Sequence, residues 1–379
     1  MNNINFNAAK RVVIKIGSSV ITNDGNNIDK KQLELLIKQI AVLISEGKEI
    51  VLVSSGAIAA GMVILGYKKR PKELSDLRVA ASVGQMALAQ AYESLFTKYK
   101  LRSSLILLTH DDLSGKKSFL NARTTISKLL DKNIIPVVNE NDTIADDEIR
   151  FGDNDTLAAM VANLIEADYL LLLTDQAGLF SDDPAQNKDA KLIKHAFIDD
   201  EKIMEAAKDS KSSTGTGGMV TKINAAKRAS MSGTNTIILS GRKKNILLEL
   251  DQHNMSKTLI QSKGVKIASK KIWMNNHLKP KGKLFINEKT EEEIYQGKSI
   301  FPNGALRSEG IYKRGEIIKF VNTKQKVIAK GLINYNNDEV EKICGHGSNE
   351  IELILGYINE SNLTHKDNIA LLRKTTRKS

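Results

Sequence analysis

Unbroken aliphatic runs, spaced through the first 240 residues and separated by longer amphipathic stretches, constrain the fold of this chain more than any other feature. They are Arg11–Ile16, Ile50–Val53, Ser104–Thr109, Ile134–Val138, Tyr169–Thr174 and Thr236–Ser240. A strand with one wet face alternates apolar and polar residues, whereas an unbroken run suits a parallel strand covered on both faces. Between the first two runs, Leu33, Leu36, Ile37, Ile40, Leu43 and Ile44 recur at helical spacing, and Gly47 follows as a stop signal. Helical patterns also cover Leu74–Tyr99, Phe119–Asp131, Thr156–Ile165 and Val220–Met231. Strand, helix and strand in repetition, joined by right-handed crossovers, predict an α/β fold: a three-layer α/β/α sandwich on a mainly parallel sheet.

The pattern changes near residue 260. Short segments at Lys283–Ile286, Ile317–Val321 and Val327–Gly331 alternate with turns at Gly282, Gly297, Gly304, Gly310 and Gly315. They predict a small, mainly β domain with one short helix near Glu339–Ile343. The expected division is a first domain over residues 1–260, a second over 270–360, and a basic tail over 361–379. Charge follows the same division. Residues 262–379 hold 22 Lys and Arg against 13 Asp and Glu, so +9 of the net +12 lies there. A polyanion such as RNA is one partner for that charge, and a solvated basic surface is the plainer account. No aromatic-rich RNA-binding motif accompanies it.

Composition removes several classes. A lone cysteine, Cys344, excludes both an internal disulfide framework and a cysteine-rich zinc site. Five prolines leave no room for a proline-rich linker. The opening Met1-Asn2-Asn3-Ile4-Asn5-Phe6 has no charged region followed by an apolar run, and no stretch reaches the roughly 18 apolar residues of a membrane span. The cytoplasm is the expected compartment.

In an open α/β sheet, ligands gather at the carboxyl ends of the strands. The polar clusters of this sequence fall there. Lys15 and Gly17-Ser18-Ser19 end the first strand, and Ser54-Ser55-Gly56 and the following small residues to Gly61 end the second. Asn139-Glu140-Asn141-Asp142-Thr143 ends the fourth, and Phe151-Gly152-Asp153-Asn154-Asp155 opens the helix after it. Thr174-Asp175-Gln176-Ala177-Gly178 ends the next strand, and Thr214–Lys222 leads into a later helix. Glycine-rich turns let backbone N–H groups approach an anion, and a helix N-terminus adds partial positive charge. With Lys15 and Lys222 they describe a pocket that neutralises phosphate, which is what phosphoryl transfer requires. Asp155 is suited to holding the two ammonium groups in register.

Taken singly, most of these clusters have plain structural readings. Ser54-Ser55-Gly56 is a small-residue turn, Gly215–Gly218 a flexible loop, and Asp153-Asn154-Asp155-Thr156 an N-cap cluster. The 215–222 loop is not a Walker A sequence, and no Gly-x-Gly-x-x-Gly follows the first strand. Lys15 differs. A lysine within an aliphatic strand costs several kcal/mol (on the order of those measured for unpaired buried polar groups) when it has no partner, so it signals function.

The segments Val13–Val20, Val53–Gly61, Ile135–Asp142, Phe151–Asp155 and Gly215–Lys222 resemble the glutamate 5-kinase family of the amino-acid kinase superfamily. Phe119-Leu120-Asn121-Ala122-Arg123 and Leu173-Thr174-Asp175 belong to the same resemblance, which runs through about residues 10–357. The C-terminal part is similar to a PUA domain, through Pro302, Gly304, Gly310, Gly315, Gly331 and Gly345–Ile351. The resemblance implies ATP-dependent phosphorylation of the side-chain carboxylate of L-glutamate. Lys15, Lys222 and Asp155 would be catalytic, and Ser55, Asp142 and Asn154 would hold glutamate. Lys15, Thr174, Asp175, Thr216, Gly217, Gly218, Met219, Val220, Thr221 and Lys222 would line the ATP site. Asp142 suits an α-ammonium, and Ser55 and Asn154 suit carboxylate oxygens as donors. Mg2+ would accompany ATP, held by phosphate oxygens and water with no protein metal site. Inhibition by L-proline and a dimeric or tetrameric state are further implications.

Ser18-Ser19 and Ser54-Ser55 stand where many members carry threonine first, a change that keeps the hydroxyls. Two rival readings are another amino-acid kinase, acting on acetylglutamate, and an RNA-binding PUA protein whose first half has lost catalysis. The loops at 139–142 and 152–155 oppose the first, and the joint presence of Lys15, Asp155 and Lys222 opposes the second. His110 is expected in a loop or proline-sensing contact, because a carboxylate nucleophile is already ionised at neutral pH and needs no base. Trp273 is expected as a packing anchor, and His346 beside Cys344 as structural rather than metal-binding.

Overall fold

The computed structural model describes residues 5–22, 27–114, 116–145, 154–209, 218–252, 254–262 and 280–372. The chain divides into two compact units, Met1–Ile267 and Ala268–Ser379. In the first, the aliphatic runs become β1 (Arg11–Ile16), β2 (Glu49–Ser54), β3 (Arg102–Leu108), β4 (Ile134–Glu140), β5 (Tyr169–Thr174) and β7 (Asn235–Ser240). Two strands unread in the sequence join them, β6 (His195–Phe197) and β8 (Lys257–Gln261). The sheet order is β3-β4-β2-β1-β5-β7-β8-β6. Neighbours run parallel except β7 and β8.

The helices of this unit are α1 (Ser18–Ile21), α2 (Lys30–Ser45), α3 (Ala57–Ile64), α4 (Leu74–Thr97), α5 (His110–Ser114), α6 (Lys116–Asp131), α7 (Asp155–Ile165), α8 (Glu201–Asp209) and α9 (Met219–Ala229). Steps from β1 to β2 and from β2 to β3 run one way across the sheet, and those from β3 through β4 and β5 to β7 run the other way. Because such crossovers are right-handed, the first set places α2 and α4 on one face and the second places α6, α7 and α9 on the opposite face. The packing agrees, with α2 against α4, and α7 against α6, α9 and β1. The fold is therefore a three-layer α/β/α sandwich.

Side-chain alternation along β1 divides its residues between these layers. Val12, Ile14 and Ile16 join the core built with Leu33, Leu36, Ile37 and Ile40 of α2 and Leu88, Tyr92 and Phe96 of α4. Lys15 has the opposite parity and so faces the α7 side. Helix α2 starts at Asp29, whose side chain accepts from Gln32 N, an N-cap that satisfies one orphan donor of the first turn.

Helices α3 and α4 meet backbone to backbone. A Cβ on Gly61 would fall far inside van der Waals contact of Ala80 O, and one on Gly84 would do the same to Ala57 O. Residues 57–61 are the start of α3, which begins after Gly56 at φ 97°. That left-handed conformation favours glycine and turns the chain sharply from β2 into α3.

The second unit carries a separate sheet of β9 (Gly282–Ile286), β10 (Ala305–Gly310), β11 (Ile317–Val321), β12 (Val327–Leu332) and β13 (Ile369–Leu371), in the order β10-β9-β11-β12-β13. Its helices are α10 (Glu288–Tyr295), α11 (Asn337–Ile343) and α12 (Ile351–Leu355). Leu284, Ile286, Ile318, Phe320, Tyr335 and Leu363 form its core. The separation of a basic tail at residue 361 needs correction. Leu363 and Thr364 are fully buried, and β13 pairs antiparallel with β12, so residues to 371 complete this unit. Apolar burial decides that boundary, where charge had suggested another. Trp273 lies outside the described residues.

Gly84→Ala is expected to lower stability by about 1–3 kcal/mol, because the added methyl forces the two helices apart. A urea midpoint equal to that of the parent protein would show that this contact yields freely.

Candidate functional site

Lys15 lies in the middle of the sheet, paired between Val53 of β2 and Leu172 of β5. It is 6% exposed, so its ammonium group needs a partner. Its Nζ lies 2.6 Å from Oδ1 of Asp155, the first residue of α7. Lys222, in the first turn of α9, places Nζ 3.1 Å from Oδ2 of the same carboxylate. Thr221 Oγ1 lies 3.1 Å from that oxygen and 2.7 Å from Gly218 O, which ties the start of α9 to the cluster. Burial alone would push the Asp155 carboxyl up, but the two ammonium groups hold it far below the ordinary carboxylate range. Three residues distant in sequence thus form one buried ionic triad carrying two cations and one anion.

Asn154 precedes Asp155 and belongs to a second network. Its Nδ2 donates to Ser54 O at 2.5 Å and to Asn139 Oδ1 at 2.7 Å. Asn139 Nδ2 donates to Gln85 Oε1 at 3.1 Å, and Gln85 Nε2 donates to Glu140 O at 3.2 Å. Ser54 Oγ lies 2.9 Å from Tyr92 OH and 3.0 Å from Ser55 O. Gln85, Asn139, Asn154, Ser54 and Ser55 are all buried. The expected donor role of Asn154 therefore changes: both of its amide protons are engaged within the protein, and its remaining group is the acceptor Oδ1.

Asp142 lies half-buried in the turn after β4. Burial pushes its carboxyl up to about 6, while the Arg70 guanidinium pulls it the other way. Arg78 holds the same turn by donating from Nη2 to Ala145 O at 2.9 Å. At the end of β5, Thr174 Oγ1 donates to Asp175 Oδ1 at 2.8 Å, with Thr174 buried and Asp175 exposed. Gly218 precedes α9 with open space where a Cβ would stand, and Met219, Val220 and Thr221 form the first turn with Lys222. Thr216 and Gly217 lie outside the described residues, as do Gly152 and Asp153.

Sequence reading singled out neither Gln85 nor Tyr92. Gln85 had one signal, a polar side chain on the stripe of Ala81, Gly84 and Leu88 that α4 buries. His110 Nε2 lies 4.0 Å from Glu140 Oε2 at the ends of β3 and β4. His346 Nδ1 lies 3.7 Å from Glu350 Oε1. Among the described residues, no group of three or more His, Cys, Asp or Glu is arranged to hold a metal ion, and no helix is long and apolar enough to cross a membrane.

The arrangement has two adjoining halves. One is the ionic cluster of Lys15, Lys222 and Asp155, which joins β1 to the starts of α7 and α9. The other is a network of neutral amides and hydroxyls from Gln85, Asn139, Asn154 and Ser54. The amino acid kinase family model matches residues 10–240, and the PUA domain model matches residues 282–355. The chain is 48% identical over 365 residues to the glutamate 5-kinase of Nitrosospira multiformis, covering 96% of this chain and 98% of that protein. It is 47% identical over 367 residues to the glutamate 5-kinase of Nitrosomonas eutropha, with the same coverage. Among solved structures, a UMP kinase from Ureaplasma parvum aligns with 67% of this chain and 99% of its own, at a TM-score of 0.48 and 17% identity.

Asp155→Asn is expected to cost about 3–5 kcal/mol at neutral pH, since two buried cations lose their counter-ion. The folded-state pKa of Asp155 is depressed, so its contribution is complete above the unfolded value near 4 (a reference of about 3.9) and fades as pH falls through the folded value. Thermal unfolding at pH 5 and pH 8 should show the same gap between parent and variant. A gap that closes already at pH 5 would remove the triad as the cause.

Proposed function

Because the chain belongs to the glutamate 5-kinases, within the amino acid kinase family, we propose that it transfers the γ-phosphoryl group of ATP to the side-chain carboxylate of L-glutamate. The products are L-glutamyl 5-phosphate and ADP, the first step from glutamate to proline. The observation that carries this reading is the convergence of Lys15 and Lys222 on Asp155, one residue from Asn154. The acceptor carboxylate is ionised at neutral pH, so no general base is required. What the reaction needs is neutralisation of charge on the moving phosphoryl group, and the ammonium groups of Lys15 and Lys222, brought together at Asp155, are suited to supply it.

In this reading Lys15, Lys222 and Asp155 are the catalytic set. Ser55, Asp142 and Asn154 hold glutamate, with Asp142 and the Asn154 carbonyl oxygen facing its α-ammonium. Thr174, Asp175 and the run Thr216–Lys222 line the nucleotide site, of which Gly218–Lys222 are described. Mg2+ would be held by phosphate oxygens and water, since both Asp155 oxygens already carry a lysine. The metal would add charge neutralisation on the phosphates, while the lysines orient them.

The same reading assigns catalysis to residues 1–260 and a stabilising or regulating role to the PUA-like second unit, in a cytoplasmic homodimer or homotetramer inhibited by L-proline. RNA binding by the second unit is expected to be weak at best. A gel shift with tRNA at physiological salt tests it, and a tight shift would assign that unit to RNA.

A coupled ADP-release assay with glutamate, aspartate and acetylglutamate, with and without proline, tests the whole reading. Turnover of acetylglutamate with none of glutamate would overturn it. Lys15→Ala and Lys222→Ala should each lower kcat by at least about 100- to 1000-fold, as for lost transition-state charge stabilisation. Unchanged turnover in either variant would withdraw that lysine from the mechanism.

Asp142 supplies a pH signature. With its carboxyl pushed up to about 6, it is neutral below that pH and ionised above it. An α-ammonium pairs with the ionised form, so kcat/KM for glutamate should rise as pH climbs through about 6. Asp142→Asn should flatten this limb, and an unaltered limb would place the titration elsewhere.

A further inference from the structure

Three side-chain amides from three elements connect end to end, and the last of them is Asn154, assigned above to the amino acid. Gln85 lies on α4, Asn139 near the end of β4, and Asn154 just before α7. Backbone carbonyl oxygens pin both ends of the chain. Ser54 O can only accept, so the group of Asn154 facing it is the N–H end. Glu140 O can only accept, so the group of Gln85 facing it is also the N–H end. Between them, Asn139 presents Oδ1 to Asn154 and Nδ2 to Gln85. Turning any one amide over sets oxygen against oxygen or N–H against N–H. One orientation of all three therefore satisfies the network.

All three side chains are buried, so a misoriented member would leave polar groups unpaired away from water, at about 1–3 kcal/mol each. The consequence for Asn154 is specific. Both of its N–H bonds are fixed inward, and its carbonyl oxygen is the group left over.

We propose that Gln85 is a positioning residue for the amino-acid substrate, acting through Asn139 to hold the Asn154 amide with its carbonyl oxygen available to a substrate ammonium group. The inference rests on the reading of Asn154 as a glutamate contact. It adds the reason why that residue selects a substrate with a free amino group: an acceptor pinned in place rewards an N–H donor, and an N-acylated amino acid has lost the ammonium. Gln85 touches no reacting atom. Its effect belongs to glutamate binding and not to the ATP half, which the ionic triad organises.

The test is a kinetic split. Gln85→Met keeps the length of the side chain but is at most a weak acceptor for Asn139 and has no N–H for Glu140 O. It should raise KM for glutamate about tenfold or more, the size of a lost buried hydrogen bond, with KM for ATP changed less than about twofold. Gln85→Glu keeps an oxygen for Asn139 Nδ2 but can donate to Glu140 O only when its carboxyl is protonated, so its glutamate KM should fall toward that of the parent as the pH is lowered. If Gln85→Met does not fold, Gln85→Asn breaks the same contact by withdrawing the amide one methylene, and must show the same split. An unchanged glutamate KM, or equal rises for glutamate and ATP, would overturn the proposal. A parent enzyme with no glutamate turnover would instead remove the functional reading on which it rests.

Discussion

The Asp155 carboxylate, enclosed between Lys15 and Lys222, is the constraint on which the rest of the first unit depends. Each of these charges alone would be expensive in the interior, and removing one leaves the others unbalanced. Their mutual satisfaction fixes three elements at once: β1 in the middle of the sheet, α7 at its first residue and α9 at its first turn. Low surrounding dielectric makes each of these charges act strongly on its neighbours.

Consecutive residues then join two kinds of chemistry. Asp155 belongs to the ionic triad, and Asn154 to the chain of amides that reaches Gln85 on the far layer of the sandwich. One peptide bond joins the residue proposed to organise phosphate charge to the residue proposed to hold the amino acid. Positioning of this kind requires no hinge. The carbonyl of Ser54, at the end of β2, connects the second network back to the sheet.

Much of this was legible in sequence, and the omissions have physical causes. The long parallel strands announce themselves because burial on both faces demands unbroken aliphatic runs. Strands β6 and β8 do not, being short and carrying His195, Lys257, Thr258 and Gln261. Helix α3 shows no period because Ala57–Ile64 is apolar or small at every position. Lys15 stood out as a charge within an aliphatic strand, and its pairing with Asp155 and Lys222 follows from the strand-end rule. Gln85 could not be inferred in the same way: its partners come from β4 and the start of α7, and only the fold brings them within reach. In the second unit, the charge of the last residues obscured the apolar Leu363, Ile369 and Ala370, which the core takes in.

The contact of Gly61 with Ala80, and of Gly84 with Ala57, sets the spacing of α3 and α4 by main-chain atoms. Side chains can rotate to make room, whereas main chain against main chain cannot. The wall that presents Ser54, Ser55 and Gln85 is therefore incompressible, and its dimensions do not drift with the residues that decorate the outer surfaces of the two helices. A descendant of this chain that came to accept a bulkier acceptor molecule would have to gain the room elsewhere, most directly in the turn that carries Asp142.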